Sequence, residues 1–174
     1  MNNDATLYIF SGLPCSGKST LSQILAERTQ GVFVRIDTVE QGLKDICKME
    51  RVEGEGYRLS YRLCRDNLMV GNNVIADSVN PIKLCRDEWM EVATSLNKRY
   101  INIEIICSDK EEHKARVQTR DNGIENLKNP TWEKILNREY HDWDSPVLRV
   151  DTAGKSIEEA ADELLKKIND WTYP

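Results

Sequence analysis

The sequence predicts an α/β fold built on a parallel five-stranded sheet, and three observations carry that expectation. Short apolar runs of strand length alternate with segments of helical periodicity along the chain, as a parallel sheet with crossover helices requires. Two of these runs end in an acid, at Asp37 and Asp77. A glycine-containing loop separates the first apolar run from the first helical segment.

In order, Leu7-Tyr8-Ile9-Phe10 reads as the first strand, and Leu21, Ile24 and Leu25 mark one side of the helix behind the loop. Residues 32–36 form the second strand, which Asp37 closes. Val74-Ile75-Ala76 is the third, ending at Asp77; residues 101–107 are the fourth and 147–150 the fifth. Helical spacing joins Tyr57, Tyr61, Cys64 and Leu68, then Ile82, Cys85, Trp89, Val92, Ala93 and Leu96, and finally Ile157, Ala160, Ala161, Leu164 and Ile168. Helix starts are marked by Asn80-Pro81 and by the capping-box patterns Ser108-x-x-Glu111 and Ser156-x-x-Glu159. Residues 50–56 and 121–130 are the least regular stretches. The length of 174 residues suits one domain over 1–174.

The loop is Gly12-Leu13-Pro14-Cys15-Ser16-Gly17-Lys18-Ser19-Thr20, which fits G-x-x-x-x-G-K-[ST] between a strand and a helix. Gly12 and Gly17 allow the tight backbone turns that aim N–H groups at phosphate oxygens. The helix behind adds its unpaired N–H groups and the positive end of its dipole. Lys18 supplies a point charge to the outer phosphates and the Ser19 hydroxyl a ligand for Mg²⁺. The expectation is a nucleoside-triphosphate site. Because Lys18 serves a ligand, Lys18→Ala is expected to leave the stability of the ligand-free fold almost unchanged.

The formal net charge of −5 disfavours broad nucleic-acid binding, which needs a basic surface. No apolar run approaches the roughly 20 residues that span a bilayer. Met1-Asn2-Asn3-Asp4 does not read as a signal peptide. The five cysteines are scattered without a C-x-x-C pair, which argues against a zinc site or disulfide framework and for a reducing cytoplasm. Cys64, Cys85 and Cys107 fall on apolar stripes; Cys15 lies in the loop itself, where a redox switch or a plain small residue are the alternatives.

Ligands of a doubly wound sheet sit beyond the carboxyl ends of its strands, so one cleft can collect the loop, Asp37 and Asp77. A carboxylate at Asp37 suits a general base for an attacking hydroxyl, and equally a helix N-cap. Asp77 suits the water shell of the metal, and is the next candidate for the base. Arg116 and Arg120, four apart, are expected on one helix face ahead of the polar stretch, as lid arginines would be. Arg86 and Arg138 are weaker candidates. His113 and His141 have no neighbours at metal-ligand spacing, and Trp89, Trp132 and Trp143 read first as packing residues.

The assembly resembles the small P-loop kinases of the zeta-toxin, chloramphenicol-phosphotransferase and polynucleotide-kinase group. The resemblance rests on residues 12–20, Asp37, Val-Ile-Ala-Asp-Ser-Val-Asn-Pro at 74–81, Arg86 and Trp89, Cys107-Ser108-Asp109, Arg116 with Arg120, Arg138-Glu139-Tyr140 and Val150-Asp151-Thr152. It implies a nucleotide-kinase-like three-layer P-loop sandwich with a short lid at about 116–130, Asp37 as base, and Arg116 and Arg120 in the lid. Polynucleotide kinases of this kind place an arginine three residues beyond the base; here that position is Glu40, which disfavours a phosphorylated acceptor.

The expected activity is ATP- and Mg²⁺-dependent phosphoryl transfer to a hydroxyl of a small molecule. Lys18, Asp37, Arg116 and Arg120 would be catalytic, residues 12–20 would hold the nucleotide, and Ser19 and Asp77 the metal. The alternatives are a polynucleotide 5′-hydroxyl or adenylylsulfate kinase, or an ATP-binding protein without catalysis. Asn97-Lys98-Arg99-Tyr100 lacks the acid of a guanine-reading N-K-x-D, and Ser78 follows Asp77 where ring-forming ATPases use Glu. Acceptor specificity is expected in residues 40–70.

Overall fold

The computed structural model describes residues 5–172; the N-terminal segment 1–4, read above for targeting signals, lies outside them. Five strands, β1 (Thr6–Ser11), β2 (Val32–Arg35), β3 (Val74–Asp77), β4 (Arg99–Ile106) and β5 (Leu148–Asp151), form one sheet in the order β2-β3-β1-β4-β5. Every pairing is parallel. The helices are α1 (Lys18–Thr29), α2 (Ile36–Cys47), α3 (Glu55–Met69), α4 (Lys83–Thr94), α5 (Lys110–Thr119), α6 (Trp132–Leu136) and α7 (Ile157–Asn169).

Helices cover both faces of the sheet, which explains why Leu7–Phe10 of β1 and Val74–Ala76 of β3 are near-continuous apolar runs rather than alternating. Phe10, Ile75, Ile103 and Ile105 meet Leu21 and Leu25 of α1 and Leu164 of α7 on one face. Leu7, Ile9, Val74 and Ala76 meet Cys64 and Leu68 of α3 and Trp89 of α4 on the other. The result is the expected three-layer sandwich. The central strand β1 pairs with β3 on one side and β4 on the other, so the chain reverses its winding beside the end of β1. That is where such sheets open a crevice.

Local details depart from the expectations. β2 stops at Arg35, so Asp37 lies in the first turn of α2 and caps nothing; Arg35 holds the N-cap position. Helix α4 begins at Lys83 instead of at Asn80-Pro81. Asn80 has left-handed backbone, φ 48°, and its buried amide donates to Phe10 O at 3.1 Å and Ser11 Oγ at 2.9 Å. Its Oδ1 accepts from Ser78 Oγ and Trp89 Nε1, so it locks the turn after β3. The cap of α5 is Asp109, one residue beyond the expected serine, because its Oδ1 accepts from both Glu111 N and Glu112 N. The capping box at Ser156 and Glu159 is present as expected. Cys64 is buried, whereas Cys85 and Cys107 are only half-buried and Cys47 is exposed.

Candidate active site

The phosphate loop leaves β1 through Gly12, whose φ is 137°. A Cβ there would stand 2.2 Å from Ile105 O, a backbone atom that cannot move aside, so only glycine fits. Cys15 also has positive φ, 67°, and Gly17, φ 97°, forms the N-cap of α1. The first residues of α1 are therefore Lys18 and Ser19, set at the positive end of the helix. Two neighbours fix the loop from outside. Thr152 Oγ1, just beyond β5, donates to Ser16 O at 2.8 Å, and a ring nitrogen of buried His113 lies 2.7 Å from Pro14 O.

Lys18 is only 8% exposed, and its Nζ donates to Asp77 Oδ1 at 2.7 Å. The expectation that Lys18 serves only a ligand is corrected here: its ammonium also neutralises a carboxylate that is 1% exposed. Asp77 Oδ2 is buried without a hydrogen-bond partner among the described residues. A carboxylate with spare acceptor capacity at the end of β3, on the strand paired with the one that leads into the phosphate loop, suits the water shell of Mg²⁺, which keeps several waters and takes few protein ligands. The site therefore fits the expected ion, with Ser19 and Asp77 as the residues that would hold it.

Pro14, Cys15, Gly17, Lys18, Ser19 and Thr20 line one open cleft of about 1370 Å³ together with Asp37, Glu40, Arg116, Arg120 and Arg138. Gly12, Leu13 and Ser16 shape the loop from behind and do not line it. The Asp37 side chain makes no hydrogen bond or ion pair among the described residues, and it sits one helical turn from Glu40. Burial, and next the Asp37 charge, hold the Glu40 carboxyl above its ordinary range. Burial also raises the phenol of Tyr57, which faces the same end of the cleft.

The arginine pair does not share a helix face. α5 ends at Thr119 and Arg120 is its C-cap in extended conformation, so its side chain departs on its own course. Arg120 Nη1 reaches within 3.7 Å of Cys15 Sγ, above the phosphate loop. Arg116 is engaged elsewhere, donating to Thr152 Oγ1 at 2.7 Å, Thr152 O at 3.0 Å and Glu112 Oε1 at 2.6 Å. In the conformation seen, Arg120 faces the loop directly and Arg116 braces the cleft margin. The segment between α5 and α6 is irregular, as expected of residues 121–130.

One contact escaped the sequence reading, while Arg86 and Trp132 take the structural and packing roles expected of them. His113 looked like a packing histidine, and nothing in its spacing signals a contact with Pro14, 99 residues away in sequence. Arg86 is 2% exposed and is a brace: its guanidinium stacks 4.1 Å from the Trp143 ring and donates to Asn80 O at 2.9 Å. Trp132 packs edge-on against His113 at 5.3 Å.

The model of the family described as chromatin-associated protein KTI12 matches residues 6–173, nearly the whole described chain and the entire site. The chain belongs to the Kti12 family. A protein of Thermococcus gammatolerans whose name proposes an adenylate kinase is 29% identical over 160 residues, covering 91% of this chain and 82% of that one. Among solved structures, the Mycobacterium tuberculosis APS kinase CysC in complex with AMPPNP and APS aligns with a TM-score of 0.71 at 17% identity, covering 95% of this chain and 98% of the other. Chaetomium thermophilum Kti12 in complex with ADP-AlF3 aligns with a TM-score of 0.68 at 20% identity, covering 97% and 100%. At such identities the structural likeness speaks for the fold, a P-loop kinase-like sandwich. No helix among the described residues is long and apolar enough to cross a membrane.

Proposed function

We propose that this Kti12-family chain binds ATP with Mg²⁺ and transfers the terminal phosphoryl group to a hydroxyl of a small-molecule acceptor. The observation that carries the reading is an unpartnered carboxylate, Asp37, opening into the same cleft as Lys18 and Ser19. A binding protein has no need of a free base facing its phosphate loop. Transfer to an alcohol does, because the hydroxyl must lose its proton as it attacks.

In this reading the loop amides and Lys18 hold the outer phosphates, with Lys18 leaving Asp77 to do so. Ser19 and Asp77 would hold the metal, which when bound would spread the charge of the phosphate oxygens. Asp37 accepts the acceptor's proton. Arg120, already over the loop, meets the charge that grows on the migrating group, and Arg116 joins it on release from Thr152. The half-buried acid at Glu40 favours a neutral or cationic acceptor and disfavours nucleic acid. Arg58 and Arg138 line the same end of the cleft and give a nucleoside monophosphate a competing claim, as the name of the Thermococcus relative also suggests.

A second reading has a specific observation behind it. The Chaetomium Kti12 holds ADP-AlF3, and aluminium fluoride beside ADP mimics a phosphoryl group in flight. The same mimic fits hydrolysis, in which water takes the acceptor's place. The test is [γ-³²P]ATP turnover with no acceptor, with AMP, and with a panel of amino, sugar and nucleoside alcohols. Acceptor-dependent product that falls about 10²–10⁴-fold in Asp37→Asn, with ATP affinity and melting temperature near wild type, is the expected result. Release of free phosphate alone, unaffected by any acceptor, would favour hydrolysis. Full transfer by Asp37→Asn would remove Asp37 as the base.

A further inference from the structure

The end of β2 carries an arginine that none of these steps uses. Arg35 lies opposite Asp77 in the register of β2 and β3, so the two side chains leave neighbouring strand ends. The Arg35 side chain is 10% exposed yet lines the cleft. Its Nη1 donates to the carbonyl of Asn122 at 2.9 Å, in the loop between α5 and α6. Its Nε stands 3.8 Å from Asp77 Oδ2, too far for a hydrogen bond, and both of these buried atoms lack a hydrogen-bond partner among the described residues.

Two orphaned, oppositely charged atoms facing each other across a short gap are costly to keep in that state. The gap closes naturally in another one. Asp77 is shared by Lys18 at 2.7 Å and Arg35 at 3.8 Å. When Lys18 turns to phosphate, Oδ1 is left for the metal's waters and Arg35 is the side-chain cation facing Oδ2; closing to ordinary hydrogen-bond length moves its guanidinium by about 1 Å. Nη1 carries the Asn122 carbonyl along. The loop is tied so that this pull is passed on: Asn122 Nδ2 donates to Leu127 O and Asn129 Oδ1, both at 2.9 Å, and Asn129 Nδ2 donates to Arg120 O at 2.7 Å. The hydrogen-bonded chain from Arg35 thus ends on the backbone of the arginine that faces the phosphate loop.

We propose that Arg35 is a positioning residue that couples occupancy of the phosphate site to the placement of the 120–131 loop and so of Arg120. The proposal rests on the ATP reading above. It requires arginine, since a forked guanidinium can bond a carboxylate and a carbonyl at once while a single ammonium on a different stem cannot span both.

The test compares wild type, Arg35→Lys and Arg35→Gln with and without AMPPNP and Mg²⁺. Nucleotide binding is measured by calorimetry, the loop by hydrogen exchange over residues 120–131 and tryptic cleavage after Lys128, and the reaction by turnover and KM for ATP. In wild type the nucleotide should protect the loop. Arg35→Lys keeps a cation beside Asp77, so it should bind AMPPNP nearly as well, lose the protection, and drop about tenfold in turnover with little change in KM. Arg35→Gln should show the same loss of protection with a lower melting temperature. A merely structural arginine would lower stability and leave the protection intact; that result in either variant overturns the coupling alone. Failure of wild type to bind AMPPNP would overturn the nucleotide reading and the coupling with it.

Discussion

Removing the Lys18 ammonium should destabilise the ligand-free protein as well as abolish its reaction. Lys18→Met keeps most of the buried stem and deletes the charge that lies 2.7 Å from Asp77. Breaking a buried pair from one side typically costs about 3–5 kcal/mol, because the surviving charge is left uncompensated. Arg35 at 3.8 Å offsets part of that, and the open cleft admits water, so the low end, about 3 kcal/mol, is expected. For a chain of this size each kcal/mol moves the melting temperature by about 2–4 °C, which gives a fall of about 6–12 °C. Thermal unfolding without nucleotide measures it. The double variant Lys18→Met/Asp77→Asn should recover much of the loss, since a neutral amide has no charge to compensate. A melting temperature for Lys18→Met within about 2 °C of wild type, or no recovery in the double variant, would refute the charge-pair account.

Two further outcomes follow from single contacts. Arg120→Ala should lower turnover by at least about tenfold and change KM for ATP little, because its guanidinium acts on charge that develops in transit; a KM defect with turnover intact would place it on ground-state ATP instead. Ser156→Ala removes the side-chain acceptor for Glu159 N at the start of α7 and should cost about 1 kcal/mol by urea denaturation; an unchanged midpoint would show that Glu159 and water suffice to cap the helix.

The sandwich and the phosphate loop were legible because local chemistry decides them. Apolar runs such as Leu7–Phe10 and Val74–Ala76 can be buried on both faces only in a covered parallel sheet, and Gly12 and Gly17 take backbone conformations that other residues strain to adopt. The capping box at Ser156 was legible for the same reason: its partners are three residues apart. What misled were signals that several structures can satisfy. Asn80-Pro81 looks like a helix start, but Asn80 found better partners in Phe10, Ser11 and Trp89, brought to it by the sheet and by α4. Arg116 and Arg120 have helical spacing, yet the helix ends between them, and spacing says nothing beyond a helix end.

Residues 12–20 and the apolar runs around them were enough to announce a phosphate loop on a parallel sheet, with Asp37 and Asp77 near it. What those groups do to one another is a property of the assembled fold. The Lys18–Asp77 pair spans 59 residues, the His113 contact with Pro14 spans 99, and the Arg35 bond to Asn122 spans 87. No residue pattern encodes such distances locally. They arise because the strand order β2-β3-β1-β4-β5 places the ends of β2, β3 and β1 side by side, so that Lys18, Asp77 and Arg35, remote in the chain and each largely buried, must neutralise one another there.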